Sequence, residues 1–116
     1  MDKEGLARLS FGVMGGFMQP QGHLQVFLNV YHHRMGIQEA IDAERVMFME
    51  GKKIAIEGSL FEKKKTSLEQ LGHSVDEGMS MWAEGFGGGQ GIMIDYEEDC
   101  LTAGSDWRKD GCAAGY

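Results

Sequence analysis

The sequence is poor in the residues that form disulfide frameworks and interdomain linkers. It contains two cysteines, Cys100 and Cys112, and one proline among 116 residues. Two cysteines form neither a disulfide framework nor a zinc-binding pattern, so we expect free thiols in a reducing compartment. No linker composition and no internal repeat divides the chain, and we interpret residues 1–116 as a single segment.

Basic charge and long apolar runs are also scarce. The chain has 11 lysines and arginines against 18 aspartates and glutamates, which gives a net charge of -7. Nucleic acids and anionic membrane surfaces bind to basic patches, so we expect neither as a partner. No apolar run approaches the roughly 20 residues that span a bilayer, and Met1-Asp2-Lys3-Glu4 lacks the apolar region of a signal peptide. We therefore expect a cytoplasmic protein.

Familiar catalytic and cofactor motifs are missing too. There is no G-x-S-x-G nucleophile elbow and no G-x-x-x-x-G-K-[ST] phosphate loop. Neither cysteine has a histidine nearby in sequence, and Glu97-Glu98-Asp99 is interpreted as a solvated turn rather than an acid–base pair. The histidines lack zinc-ligand spacing; they are His23, His32, His33 and His73. The residues themselves therefore predict no metal, no cofactor, no nucleophile and no general base.

Glycine is abundant instead, with 18 residues, about twice its usual share of ~7%. A glycine pair follows the first predicted strand, in which Leu9, Phe11 and Val13 alternate with other residues. Gly15 and Gly16 then form a turn ahead of a predicted helix. Glycine permits positive φ, and adjacent N–H groups near a helix start can bind negative charge. The pattern leaves two interpretations open, an anion site or a tight turn without a ligand.

Hydrophobic periodicity and turn residues predict an α+β protein in the order β-α-α-β-β-α-β-β. The predicted elements are a strand over 6–13, helices over 18–34 and 37–43, a hairpin over 46–56, a helix over 59–71, a short strand from 74, and strands over 92–94 and 100–104. We expect a glycine-rich loop over 85–91 and an irregular tail over 105–116.

The helices are assigned inward faces and ends. The first helix is predicted to end at a left-handed Gly36, the third to begin with a capping box of Ser59 and Glu62 and to end at Gly72. The apolar residues predicted to face inward are Leu24, Phe27, Leu28 and Tyr31 in the first helix, Ile37, Ala40 and Ile41 in the second, and Phe61, Leu68 and Leu71 in the third. A second face of the first helix carries Gln21, Gln25, Asn29 and His33.

Several segments resemble the γ-glutamyltranspeptidase family, and they occur in the same order as in the family. They are Leu9–Gly16, Met18–His23, Gln38–Ala43, Leu71–Val75, and a C-terminal run from Gly104 to Tyr116 that contains Ser105, Asp106, Arg108, Asp110 and Gly111. Because these motifs agree in order along nearly the whole chain, the resemblance is far more specific than one glycine turn.

The resemblance implies an N-terminal-nucleophile hydrolase with a four-layer αββα sandwich. The fold expected here is α+β, a part of that sandwich with mostly antiparallel strands and two or three helices. Family members cut a precursor to expose a threonine, which attacks a γ-glutamyl amide such as that of glutathione and uses its own amine as the base. The acyl group then passes to water or to an amino acid. By position, Gly15 and Gly16 match the paired glycines whose N–H groups form the oxyanion hole.

The sequence departs from the family pattern at several positions. The family threonine lies upstream of the paired glycines, whereas Thr66 and Thr102 lie downstream. Phe17, Glu44 and Trp107 replace an aspartate and two prolines that are usual. Two hypotheses follow. In the first, the chain supplies the oxyanion hole to a nucleophile on a missing segment or a separate chain. In the second, it is an inactive truncated product that serves as a structural or binding module. With only part of each sheet, the chain should expose edges and apolar patches, so we expect self-association or a partner chain.

Overall fold

The computed structural model of the chain describes residues 3–78 and 85–115. Its strands and helices, in chain order, are β1 (Leu9–Met14), α1 (Gln19–Tyr31), α2 (Ile37–Asp42), β2 (Val46–Glu50), β3 (Lys53–Glu57), α3 (Gly58–Gln70), β4 (Ser74–Gly78), β5 (Gly88–Asp95) and β6 (Cys100–Ser105). Single-turn 3₁₀ helices lie at Gly16–Met18 and Trp107–Lys109. The fold is α+β, as the sequence predicts. Within the described ranges, no helix has the length and apolar character to cross a membrane.

Two three-stranded sheets organise the described part of the chain. The first sheet has the order β1-β5-β6 and is antiparallel throughout, with Met14 opposite Gly88 and Gly12 opposite Gln90. The second has the order β2-β3-β4; β2 and β3 form the predicted hairpin, whereas β3 and β4 are parallel. Parallel neighbours need a crossover connection, and α3 supplies it.

Three groups of buried apolar side chains hold these layers together. The first group joins β1, α1 and α2 and consists of Val13, Val26, Val30, Ile37, Ala40 and Ile41. The second joins the second sheet to α3 and consists of Ile54, Ile56, Phe61 and Val75. A small third group lies between the two sheets and consists of Met18, Ala55 and Phe86. The inward face of α2 is confirmed. The third group matters for the site because Met18 lies two residues after the glycine turn and Phe86 directly precedes Gly87, which touches the turn.

The inward face of α1 differs from the prediction. The helix buries Gly22, Val26 and Val30, and Gly22 lies so close to β1 that a Cβ there would be 2.7 Å from Val13 Cγ1. The predicted inward residues are instead 41–58% exposed; they are Leu24, Phe27, Leu28 and Tyr31. Because α1 contains no Asp, Glu, Lys or Arg, the polar pattern does not mark an outer face, and the close approach at Gly22 decides which side is buried.

Two glutamines of α1 complete the outer edge of β2. The Val46 N–H donates to Gln25 Oε1 at 2.8 Å, and Gln25 Nε2 donates back to the Val46 carbonyl at 2.8 Å. One helical turn earlier, Gln21 Oε1 accepts from the Phe48 N–H at 2.6 Å. These two side chains satisfy backbone groups that an edge strand otherwise leaves to water or to another chain.

Helix ends account for further corrections. Gly36 is extended (φ -62°, ψ 158°) and precedes α2, while Arg34, with φ of 60°, is the left-handed residue after α1. The predicted capping box at Ser59 and Glu62 does not form. Glu44 caps α3 instead, accepting from the N–H of Ser59 at 2.6 Å and from the N–H of Leu60 at 2.8 Å. A cap that lies fifteen residues earlier in the chain has no local sequence signature.

The C-terminal half brings other differences. Leu71, predicted to face inward, is 76% exposed, although the left-handed Gly72 (φ 91°) ends α3 as predicted. Residues 88–91, predicted as loop, belong to β5, where the absence of a side chain at Gly89 and Gly91 lets Ile41 and Ile37 of α2 pack closely. The tail is partly ordered into the 3₁₀ helix Trp107–Lys109. Tyr116 of the terminal motif lies outside the described residues.

Candidate functional site

The glycine turn connects β1 to α1 through two residues in the left-handed half of backbone space. Gly15 has φ of 136° and Gly16 has φ of 56°. A Cβ on Gly15 would lie 2.9 Å from Gly87 Cα, and a Cβ on Gly87 would overlap the Met14 carbonyl oxygen. Gly15 and Gly87 therefore fix a close backbone crossing that a side chain on either residue would separate.

The turn leaves amide donors available. The Gly15 carbonyl accepts from the Met18 N–H at 3.0 Å, which closes the turn. Within residues 3–78 and 85–115, the N–H groups of Gly15 and Gly16 have no hydrogen-bond acceptor. Gly16 is exposed and Gly15 is half-buried, so an oxygen atom from a ligand can reach this part of the chain. Adjacent unpaired amides of this kind stabilise a localised negative charge.

A groove of about 500 Å³ opens next to the turn. It is lined by Gly12, Val13, Met14, Gln19, His23, Gly88, Gln90 and Lys109. Gly15 and Gly16 are not lining residues, but the groove reaches Met14, the residue before them. The candidate site is thus a pair of amide donors at the end of a groove on the first sheet.

His23 at the side of the groove has a structural role. Its Nε2 accepts from the Val13 N–H at 3.3 Å, and its Nδ1 lies 2.6 Å from the Gln19 carbonyl oxygen. Because Nε2 accepts a hydrogen bond, the nitrogen that donates to the Gln19 carbonyl is Nδ1. Both ring nitrogens are occupied in this arrangement, so His23 supports the end of β1.

Beneath the groove, four buried charged side chains form a cluster of two ion-paired arginines and two carboxylates: Arg45, Glu57, Asp106 and Arg108. Arg108 Nε and Nη2 contact the two carboxylate oxygens of Glu57 at 2.7 and 2.6 Å. Arg45 Nη2 contacts Asp106 Oδ2 at 2.8 Å, and Arg108 Nη1 contacts Asp106 Oδ1 at 3.1 Å. Such bidentate pairing is the geometry in which a buried arginine is best satisfied.

This ion cluster holds the segment that backs the glycine turn. Asp106 Oδ2 accepts from the Gly89 N–H at 2.7 Å, and Arg45 Nη1 donates to the Phe86 carbonyl at 2.8 Å. Residues 86–89 are therefore fixed on both sides of Gly87, the residue that touches Gly15. The cluster acts on the turn through this contact and does not itself reach the groove.

The pKa values of the cluster follow from burial and pairing. Burial by itself would raise the pKa of Asp106, but hydrogen bonds from the N–H groups of Gly89 and Arg108 and the charges of Arg45 and Arg108 outweigh it and hold the pKa below its usual value. Burial, together with the neighbouring charge of Arg108, lowers the pKa of Arg45. Burial also acts to lower the pKa of Arg108, but its bonds to Glu57 dominate and raise that pKa.

Sequence reasoning identified this site only in part. The sequence predicts a site at Gly15 and Gly16, and it places Asp106 and Arg108 in a terminal family motif without indicating their partners. Arg45 and Glu57 were missed, since each is one charged residue at a strand boundary. The position of Arg45 next to a buried strand was the available signal for an ion pair, because a full charge is rarely buried without a partner.

Metal ligands and threonines do not extend the site. Among the described residues, no three His, Cys, Asp or Glu side chains could hold a metal ion. Thr66 is an exposed residue of α3, the helix that packs against the second sheet. Thr102 is paired with Met93, and Met93 with Leu9, so Thr102 is at the opposite end of the first sheet from the turn.

The fold and the ordered motifs define a family. The chain belongs to the γ-glutamyltranspeptidase family, because the family model Gamma-glutamyltranspeptidase matches residues 1–116. The chain is also 30% identical over 109 residues to the Acylase ACY 1 proenzyme of Pseudomonas sp. (strain V22), covering 94% of this chain and 18% of the acylase. It thus spans about a fifth of the length of the curated relatives that it matches.

Solved structures agree with this assignment. The cephalosporin acylase from Bacillus halodurans superimposes with a TM-score of 0.84 at 37% identity, over 91% of this chain and 19% of the acylase. The transpeptidase CapD from Bacillus anthracis superimposes with a TM-score of 0.81 at 25% identity, over 93% of this chain and 63% of CapD. The predicted fold, a part of an N-terminal-nucleophile hydrolase, is confirmed.

Proposed function

We propose that this chain supplies the oxyanion hole of an enzyme that cleaves γ-glutamyl amides of the glutathione type, with Gly15 and Gly16 as the donors. The observation that carries the proposal is the pair of unpaired amides at the end of β1, held against Gly87. Donors that are fixed before the reaction stabilise the charge that develops on the carbonyl oxygen, and loss of one such donor typically costs 10²–10³-fold in rate.

The reaction assigns a definite task to the turn. A threonine hydroxyl attacks the amide carbon, its proton passes to the threonine amine, and negative charge collects on the carbonyl oxygen. The N–H groups of Gly15 and Gly16 bind that oxygen. The carbon–nitrogen bond then breaks, the amine leaves with a proton, and water or an amino acid takes the acyl group from the resulting ester. Because Thr66 and Thr102 lie far from the turn, the nucleophile comes from outside these 116 residues.

A second substrate class is favoured by one observation. The chain is 37% identical to a cephalosporin acylase but 25% identical to the transpeptidase CapD. The amide side chain of a cephalosporin is thus the alternative substrate, and the same donors serve it, because the charge develops on an amide carbonyl oxygen in both reactions.

Fusing this chain to the part of the Pseudomonas acylase proenzyme that precedes its matching segment provides the test. We expect the fusion protein to hydrolyse a γ-glutamyl or glutaryl anilide, and the Gly15→Ala variant to lose at least about 100-fold in kcat, because a Cβ at this position displaces the turn. Gly36→Ala is the matched control, since Gly36 has an ordinary φ and open space around it. Equal activity of Gly15→Ala and Gly36→Ala would exclude the oxyanion role.

The 116-residue chain should be inactive by itself. Release of anilide by the isolated chain, retained through repurification, would show that the nucleophile is within these residues. The competing hypothesis, an inactive structural or binding module, predicts that a correctly folded fusion protein is also inactive. The assays of the isolated chain and of the fusion protein together distinguish a nucleophile within these residues, a nucleophile outside them, and an inactive module.

We also propose that the outer face of α1 is covered by a second copy or by a partner chain. Phe17 is 97% exposed, and the face made by Leu24, Phe27, Leu28 and Tyr31 adds a continuous apolar surface on a helix without charged residues. A helix that is apolar on both sides is normally buried on both. Analytical ultracentrifugation should show a concentration-dependent assembly, and Leu24→Glu should shift it toward monomer. A wild-type monomer at all concentrations would contradict the proposal for self-association.

A further inference from the structure

The glycine turn contains two adjacent residues of the type with the greatest backbone freedom, and both have positive φ. An oxyanion hole requires donors that are fixed before the reaction, so the rigidity of this turn has to come from the contacts around it. The crossing with Gly87 holds one side of Gly15. Along the chain, the residues before and after the glycine pair are held by side chains of α1.

Before the turn, His23 holds the end of β1. The Arg8 carbonyl accepts from the Ile94 N–H at 3.0 Å, and backbone groups alternate in direction along an antiparallel strand, so the Val13 N–H points away from β5. His23 Nε2 accepts from this N–H at 3.3 Å across ten positions of the chain, and both glycines lie within that interval. The imidazole also packs against Phe11, with 5.5 Å between the ring centroids. The hydrogen bond therefore closes a loop around the turn.

After the turn, Gln21 holds the 3₁₀ helix that leads into α1. Its Nε2 donates to the Phe17 carbonyl at 3.2 Å, and its Oε1 accepts from the Phe48 N–H of β2 at 2.6 Å. The next residue, Gly22, lies against the Val13 side chain. Three consecutive residues of α1 thus contact both ends of the turn.

We propose that His23 is a positioning residue for the oxyanion hole, because its bond to the Val13 N–H fixes the point at which β1 passes into the two glycines. The proposal rests on the oxyanion role of Gly15 and Gly16. His23 has no free ring nitrogen for a substrate, since Nε2 accepts from Val13 and Nδ1 donates to the Gln19 carbonyl at 2.6 Å. It therefore acts as a fixed acceptor and not as an acid or a base. A displacement of a catalytic group by about 1 Å can cost about 10²-fold in rate.

Kinetics of the fusion protein test the acceptor role with two substitutions of His23. His23→Phe keeps the ring contact with Phe11 but removes the acceptor, and we expect kcat to fall about 10–100-fold while KM stays within about threefold of wild type. His23→Gln carries an acceptor, Oε1, at the same number of bonds from Cα as Nε2, so kcat should return to within about threefold of wild type. His33→Phe is the matched control, because it makes the same change at an exposed histidine after α1, and it should leave kcat unchanged.

Hydrogen exchange of the 116-residue chain tests the same bond without catalysis. We expect the Val13 amide to be protected in wild type and in His23→Gln, and to exchange at least about tenfold faster in His23→Phe. Equal exchange in wild type and His23→Phe would overturn the proposal. A loss of kcat in His23→Gln as large as that in His23→Phe would also overturn it, because the imidazole would then do more than accept a hydrogen bond.

A purely structural role for His23 predicts a different result. His23→Phe would then have a lower free energy of unfolding, but the folded fusion protein would keep the kcat of wild type. In that case Gly15→Ala would still be impaired, and only the role of His23 would be lost. Failure of the oxyanion proposal is distinguishable, because Gly15→Ala would then keep the wild-type kcat.

Discussion

Replacing Asp106 by asparagine tests how much the buried ion cluster contributes to folding. Each carboxylate oxygen of Asp106 accepts two hydrogen bonds: Oδ2 from the Gly89 N–H at 2.7 Å and from Arg45 at 2.8 Å, and Oδ1 from the N–H and the guanidinium of Arg108 at 2.9 and 3.1 Å. Asparagine replaces one of these oxygens by a donor, so either orientation of the amide loses two bonds. At about 1.5–3 kcal/mol for each bond to a charged group, the loss is about 3–6 kcal/mol.

The cost of breaking a buried ion pair gives a similar value for this loss of stability. Removing one partner of a buried ion pair costs about 3–5 kcal/mol, because the remaining charge stays buried without compensation. We therefore expect Asp106→Asn to lower the free energy of unfolding by about 3–5 kcal/mol. With a urea m-value of about 1.5 kcal/mol/M, the midpoint should fall by about 2–3 M.

Urea unfolding followed by far-ultraviolet circular dichroism is the assay, and Asp110→Asn is the control. Asp110 is exposed and has φ of 49°, a conformation that asparagine also tolerates, so this substitution should change stability by no more than about 0.5 kcal/mol. If Asp106→Asn unfolds within about 1 kcal/mol of wild type at an unchanged m-value, the cluster does not hold the C-terminal segment as described.

Three further predictions concern pH and local contacts. The pKa of Asp106 in the folded protein is below the usual aspartate value of about 3.9. The ionised carboxylate therefore contributes its full stabilisation above about pH 4, and this stabilisation is lost as the pH falls toward the folded-state pKa. The free energy of unfolding should consequently fall more steeply below about pH 4 in wild type than in Asp106→Asn. Gln25→Leu should cost about 1–3 kcal/mol in urea unfolding, since both backbone groups of Val46 lose their partner in a half-buried setting; no loss would mean that water replaces the amide. Glu44→Ala should cost about 1 kcal/mol and reduce the protection of the first amides of α3 from hydrogen exchange, and unchanged protection would contradict the capping role.

Local patterns predicted the elements better than they predicted the contacts between them. The inward face of α2 and the end of α3 at Gly72 follow from spacing and from one residue type, and both agree with the structure. The buried side of α1 does not follow from spacing, because the helix is apolar on two sides and the contact of Gly22 with Val13 selects one. Such a choice depends on which residues meet in three dimensions.

The candidate site shows the same division. The sequence identified Gly15 and Gly16 because a strand that ends in paired glycines has a local signature. The close crossing with Gly87 lies some seventy residues along the chain, and the ion cluster joins a loop after α2 to the C-terminal tail. Long-range pairing of single charged residues leaves no period to detect, and only the ordered family motifs indicated that Asp106 and Arg108 matter.

The glutamine contacts between α1 and β2 limit how this chain can vary in length. Four residues of helix advance about 6 Å, and two residues of strand advance about 6.6–6.8 Å, so the amides of Gln21 and Gln25 can follow alternate residues of β2. At the next repeat the row ends: Asn29 donates to the Ala40 carbonyl at 3.2 Å instead. Inserting one residue between the two glutamines would rotate one amide by about 100° away from the strand. The four-residue spacing of the two glutamines in α1 is thus set by β2, a strand of the second sheet. An insertion in α1 would uncouple the two sheets even where the exposed side of the helix could accommodate it.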